Sequence, residues 1–253
     1  MQEDRRFGGV KRLYGLAGAQ QIAQAHVAII GIGGVGSWAA EALARCGVGH
    51  LTLIDLDHVA ESNINRQIHA VEANLGLAKV LAMRDRIHAF FPQCQVDCVE
   101  EFVMAHDCSC FLPTDLHAVI DACDQVDVKV ALMSWATIGT KPRLISSGAA
   151  GGKRHSHLVT VADLAKVTHD PLLAKIRNRL RREHGFAREG RPMGVTCVYS
   201  PEPVADPDPS CAVAGDGSLN CQGYGSVVTV TASFGLCCAA QVLQHLSHDD
   251  SSS

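Results

Sequence analysis

Residues 25–37 read AHVAIIGIGGVGS, and this stretch decides the fold. Ala25–Ile30 has the length and β-branched content of a buried parallel strand, and Val35–Arg45 is built of helix formers. Between them Gly31, Gly33 and Gly36 match G-x-G-x-x-G, with Gly34 inside the turn. In such a turn the first glycine permits the reversal, the second admits a phosphate, and the third lets helix pack on strand. The unpaired N–H groups at the helix start then attract an anion. The next apolar run, His50–Ile54, ends in Asp55, nineteen residues beyond Gly36, where a carboxylate can hold ribose hydroxyls. Strand, turn, helix, strand and acid in that order predict an α/β, Rossmann-like doubly wound, mostly parallel sheet with added C-terminal strands and helices.

The bulk composition bounds what the fold can do. The 253 residues suffice for one α/β domain, and 47% apolar content with few aromatics suits a Val/Ile/Leu/Ala-built sheet. A net charge of −4 requires any nucleic-acid contact to rest on a local basic patch. The eleven cysteines are scattered, no secretory signal opens the chain, and no C-x-x-C pair exists. This pattern predicts reduced thiols in a cytoplasmic protein and argues against a four-thiolate zinc clip. Val227–Leu243 is apolar but too short and too polar for a membrane span, so a core strand and helix are expected there.

Outward from the glycine turn, residues 1–24 begin with Arg5, Arg6, Lys11 and Arg12 and become helix-like. They read as a solvated arm or as a segment reaching a nucleotide. After Asp55, LDHVAESNINRQ is too polar for core and carries Asp57, Asn63, Arg66 and Gln67. A triphosphate needs more cationic help than a helix start gives, and Arg66 and Lys79 are the candidates. An exposed helix lysine is the plainer reading of Lys79. Leu75–Phe90 reads as a helix, Gln95–Val99 as a strand, and Leu116–Ala122 as a buried strand carrying Asp121 and Asp124 to the edge where such folds bind ligands. A carboxylate there suits Mg2+, while Asp124 could equally cap the helix near Gln125. Arg143–Ser147 is a further strand, leading into GAAGGKRHSHLVTVAD at 148–163, a glycine-rich crossing and an added strand.

Pro171–Arg191, within a basic helical segment over 163–191, holds seven cations against two glutamates. Lys175, Arg177, Arg179, Arg181 and Arg182 make much of one helix surface basic, which suits phosphate-backbone contact or a merely solvated face. Residues 201–226 read as a flexible crossover loop near the site, with Cys197, Cys211 and Cys221 in or beside it.

With these residues in place, the chain resembles the ubiquitin-activating-like (E1-like) adenylating enzymes of ThiF/MoeB type. The resemblance rests on GIGGVGS at 31–37, LIDLDHVAESNINRQ at 53–67, Lys79 in GLAKV and IDACD at 120–124. It implies one E1-like domain over 1–253 that binds ATP. Gly31, Gly33, Gly34 and Gly36 would cradle the nucleotide, with Asp57 and Gln67 beside them. Asp55 would hold the ribose, Asn63, Arg66 and Lys79 the phosphates, and Asp124 the Mg2+ and polyphosphate. Within the family, RFGGVKRLYG, NRQIHA, ADLAKVTHDPLLAKIRNRLR and MGVTCVYSPEPV look like the branch that dehydrates threonylcarbamoyladenosine at position 37 of tRNA. That branch implies a tRNA partner and a homodimer. An arginine that some relatives extend across the dimer falls near Gly9, leaving Arg12 or Lys11 to replace it. A monovalent cation around 148–152 and a sulfur-trafficking protein partner stay open. The rival expectations are activation of a ubiquitin-like sulfur carrier through Cys197 or Cys221, an NAD-binding oxidoreductase, and a catalytically silent tRNA-binding module.

Overall fold

The computed structural model describes residues 5–101, 112–137, 142–188, 190–208, 210 and 224–248. Its centre is a seven-stranded sheet of β1 (His26–Ile30), β2 (His50–Ile54), β3 (Gln95–Val99), β4 (Ala118–Asp121), β5 (Arg143–Ser147), β6 (Thr160–Asp163) and β7 (Thr196–Tyr199). The spatial order is β3-β2-β1-β4-β5-β7-β6, with every pair parallel except β6 against β7. The order turns back between β1 and β4, so a crevice opens beyond their carboxyl ends. β1 is buried at all five positions, because helices cover both faces of a parallel sheet.

The helices are α1 (Gly8–Gln24), α2 (Gly36–Arg45), α3 (Lys79–His88), α4 (Val126–Ala136), α5 (Pro171–Glu183) and α6 (Val228–Ser247). Two apolar clusters fill the layers. One joins Val27, Ile29, Leu43, Leu51 and Phe234; the other joins Ala28, Ile30, Val119, Met133 and Ile176. Alternate residues of β1 thus feed opposite faces, as strand geometry requires.

Three expectations change. The strand and helix expected at 227–243 form a single helix, α6, packed on α2 and α1. Among the described residues no helix is long and apolar enough to cross a membrane. The helix expected over 75–90 begins only at Lys79, since 72–74 form a short 3-10 turn and Gly76 adopts φ +84°. Finally, β7 is an inner strand between β5 and β6 that the sequence reading did not mark. Only four residues long, it is cut off from β6 in sequence by α5.

Candidate functional site

The glycine turn is dictated by contacts. Gly31 has φ +87°, and a Cβ there would lie 2.9 Å from the Ala122 carbonyl carbon. A Cβ on Gly36 would lie 1.8 Å from Gly31 O, so α2 can start this close to β1 only with glycine. At Gly33 a Cβ would meet nothing nearer than Gln67 Nε2 at 3.9 Å. The turn is therefore tight against the protein and open toward the cavity, as a phosphate-approach position requires.

Asp55 fixes this turn. Its Oδ2 accepts from Ile32 N–H at 2.6 Å and its Oδ1 from Asp57 N–H at 2.8 Å. Burial raises its pKa, opposed by the Lys79 ammonium and by these two N–H donors. Asp57 in turn accepts from Lys79 Nζ at 2.6 Å, and Lys79 N–H donates to the Asp57 carbonyl at 3.0 Å. The Lys79 side chain is 7% exposed, so it is a buried cation held at the head of α3 and not a solvated helix lysine. Asn63 Oδ1 accepts from Ala60 N–H, closing the next turn of the loop. Arg66 is anchored by its backbone, whose carbonyl accepts from Trp38 Nε1 at 3.0 Å and Thr231 Oγ1 at 3.4 Å. One guanidinium nitrogen donates to Ser62 O and Asn65 Oδ1. Gln67 is buried, and its Oε1 meets no protein donor.

These residues line a single cavity of about 590 Å³ with Gly31, Gly33, Gly34, Asp55 and Asp124. Asp124 is exposed within it; α4 has Gln125 as N-cap and no side-chain capping bond, so the capping role falls away. Asp121 departs from its expected place. It is fully buried and accepts from Lys129 Nζ (2.9 Å), Ser146 Oγ (2.6 Å) and Cys123 Sγ (3.1 Å), so it supports the floor and does not face the cavity. Burial works against the Lys129 charge, but Asp121 beside it holds the pKa above the ordinary lysine value. Nothing in VDVKVAL marked Lys129 as buried, because its partner lies eight residues away on a strand.

The far wall is residues 147–151 together with the start of α5. Asp170 caps α5 through Leu173 N–H and also accepts from Ala149 N–H, tying wall to helix. Lys153 is buried and donates to the carbonyls of His169 (3.2 Å), Ser200 (3.0 Å) and Glu202 (2.7 Å). That ammonium ties the chain just beyond the far wall to the carbonyls at 169, 200 and 202.

The basic helix divides by occupation. Arg177 donates to the carbonyls of Leu164 and Val167, Arg179 pairs with Asp127 and Glu183, Arg181 donates to Ala187 O, and Arg182 pairs with Glu183. Lys175 is exposed and lines the cavity. Arg12 is exposed on α1 and is not among the residues lining the cavity. Cys197 is wholly buried, and burial pushes its thiol far above the ordinary range, the opposite of an activated nucleophile. Cys211 and Cys221, and most of the crossover loop expected at 201–226, lie outside the described residues.

A doubly wound sheet with an acid-braced glycine turn and buried cations at its switch point defines a nucleotide-binding α/β protein. The family model of the ThiF family matches residues 8–253, and the chain belongs to that family. Its sequence is 41% identical over 251 residues to tRNA threonylcarbamoyladenosine dehydratase of Escherichia coli, covering 96% of this chain and 93% of the relative. The Haemophilus influenzae protein of the same name is 37% identical, covering 96% and 94%. The crystal structure of the E. coli dehydratase in complex with ATP superposes with a TM-score of 0.85, covering 96% of this chain and 93% of that one.

Proposed function

We propose that this protein uses ATP to dehydrate N6-threonylcarbamoyladenosine at position 37 of tRNA. The convergence of Arg66, Lys79, Asp124 and the glycine turn on one cavity carries the reading. The end-to-end likeness to the E. coli dehydratase supplies the substrate. A carboxylate oxygen attacks the α-phosphorus of ATP, the bond to the bridging oxygen breaks, and pyrophosphate leaves an acyl adenylate behind. A neighbouring group of the carbamoyl unit then attacks the acyl carbon. AMP departs and a proton is lost, so the base has lost one water overall.

Both reactants are anions, so the chain's main task is to screen their repulsion and stabilise the charge on the leaving pyrophosphate. Lys79, Arg66 and the N–H groups heading α2 do this, with Asn63 and Gln67 beside the phosphates and Asp55 holding the ribose. Asp124 is an exposed carboxylate in the cavity and fits a hard divalent cation; Mg2+ held there would neutralise phosphate charge. Ring closure is intramolecular, so orientation supplies much of its rate.

The tRNA lies along α5, where Lys175 contributes an ammonium with no partner among the described residues. Arg177, Arg179, Arg181 and Arg182 contribute what charge their internal bonds leave. The working unit is a homodimer in which Arg12, exposed beside Leu13 and Leu16, serves the partner's cavity. The discriminating experiment measures AMP release. Release with tRNA bearing threonylcarbamoyladenosine and none with unmodified tRNA is expected. Release only with a carrier protein ending in Gly-Gly would replace this reading with sulfur-carrier activation.

A further inference from the structure

At the edge of the sheet opposite the cavity, the first residues of β1 and β2 bring two imidazoles together. His26 pairs in register with His50, and Thr52 with Asp97, so all four side chains leave the same face of three neighbouring strands. The His26 and His50 rings stack with centroids 3.4 Å apart and planes 9° from parallel. His50 Nε2 is 2.6 Å from Asp97 Oδ2, and His26 Nε2 is 2.8 Å from Thr52 Oγ1. His26 Nδ1 is buried with no hydrogen-bond partner; Asp115 Oδ1 stands 3.1 Å away, off the direction a hydrogen bond needs.

A ring nitrogen of each histidine and a carboxylate oxygen of Asp97 lie within 4.8 Å of one another. Donors around a tetrahedral zinc ion, with bonds of about 2.0–2.1 Å, stand roughly 3.4 Å apart. Because stacked rings cannot both aim an in-plane lone pair at one ion, binding requires the His50 ring, with a side chain 20% exposed, to turn out of the stack while His26 stays in place. We propose that His26, His50 and Asp97 form a site for a divalent transition ion of the zinc type, separate from the nucleotide cavity. Two imidazoles and a carboxylate are the donor set such ions favour over Mg2+. His26, 3% exposed and braced by Thr52, is the rigid anchor. Asp97, with a side chain 50% exposed, is the open side through which an ion enters, and the Asp115 carboxylate, 3.1 Å from His26 Nδ1, stands beside the set. Bound there, the ion ties the starts of β1, β2 and β3 together.

The test uses the full chain stripped with chelator and titrated with Co2+, then with Zn2+ as competitor. One saturable Co2+ site is expected, with visible d–d bands, no thiolate charge-transfer band, and displacement by Zn2+. His50→Ala should weaken it at least tenfold, roughly the scale of losing one ligand's support, while leaving ATP binding unchanged. Asp97→Asn, on the exposed side, should weaken it similarly if His50→Ala folds poorly. Zn2+ should raise the Tm of the parent and not of either variant. No saturable binding, a thiolate band, or binding unchanged in both variants would overturn the site and leave a hydrogen-bonded histidine pair.

Discussion

Lys79 and Arg66 face the same cavity but are held differently, and their substitutions should differ accordingly. The Lys79 side chain pairs with Asp57 while its backbone N–H holds the Asp57 carbonyl independently, so Lys79→Ala should fold normally while losing ATP-dependent turnover by about 100-fold or more, the scale of one electrostatic donor at a charge-developing site. Arg66→Ala keeps the carbonyl that Trp38 and Thr231 grip, so it too should remain folded with a comparable loss. Near-normal kcat/KM in either purified variant would remove that residue from the mechanism. Lys129 behaves otherwise. Lys129→Met leaves the Asp121 carboxylate buried without its cation and should lower stability by about 3–5 kcal/mol, read by urea denaturation.

His69, also at the residue scale, sets a pH dependence. It is 1% exposed, neither ring nitrogen meets a protein partner, and burial, with help from Lys79 and Arg86, lowers its pKa to about 4. A folded pKa below the unfolded 6.5 means its stabilising share is fully present above pH 6.5 and is lost as pH falls toward 4. On the order of 2–3 kcal/mol is at stake across that window. His69→Leu should flatten this part of the stability profile; an unchanged slope would show that other groups set it.

At the scale of elements, α5 holds its cations in two ways, and the proposed tRNA contact rests on those left outward. Arg177 ties the helix to the carbonyls of Leu164 and Val167, so Arg177→Ala should lower Tm and affect tRNA affinity only weakly. Lys175→Gln should leave Tm unchanged, weaken tRNA binding several-fold and reduce the salt slope by about one. Equal effects of the two variants on affinity would mean that the helix acts as a uniform charged face. The sequence marked this helix as basic but could not say which charges were free, because Leu164, Val167 and Asp127 approach only in the fold.

Local patterns were legible: the turn at 31–36 and Asp55 at a strand end. Lys79 was singled out, but its plainer reading as a solvated helix lysine fell only when the structure buried it against Asp57. Side chains whose meaning comes from distant partners were not legible. Asp121 looked like a ligand carboxylate until Lys129 and Ser146 closed on it, and Lys153, which the sequence did not single out, is held by three carbonyls that come together only in the fold. β7 was hidden because its place in the sheet depends on β5 and β6, not on its own pattern.

At the scale of the whole molecule, the sheet separates two ends. The carboxyl ends of β1, β2 and β4 carry the glycine turn, Asp55 and Asp124, while the starts of β1 and β2 carry the histidine pair. Arg12 belongs to neither, which gives the dimer proposal a direct check. Mixing an Arg12→Ala chain with a Lys79→Ala chain should restore up to about a quarter of parental activity, since one cavity in some mixed dimers regains both residues. Mixtures no better than the separate variants would place Arg12 outside the reaction.

The central claim is tested most directly by mass analysis of position-37 nucleosides after the protein is incubated with ATP, Mg2+ and threonylcarbamoylated tRNA. The account predicts that threonylcarbamoyladenosine loses one water only when ATP is present. An unchanged nucleoside, with AMP appearing on addition of a carrier protein ending in Gly-Gly, would contradict it.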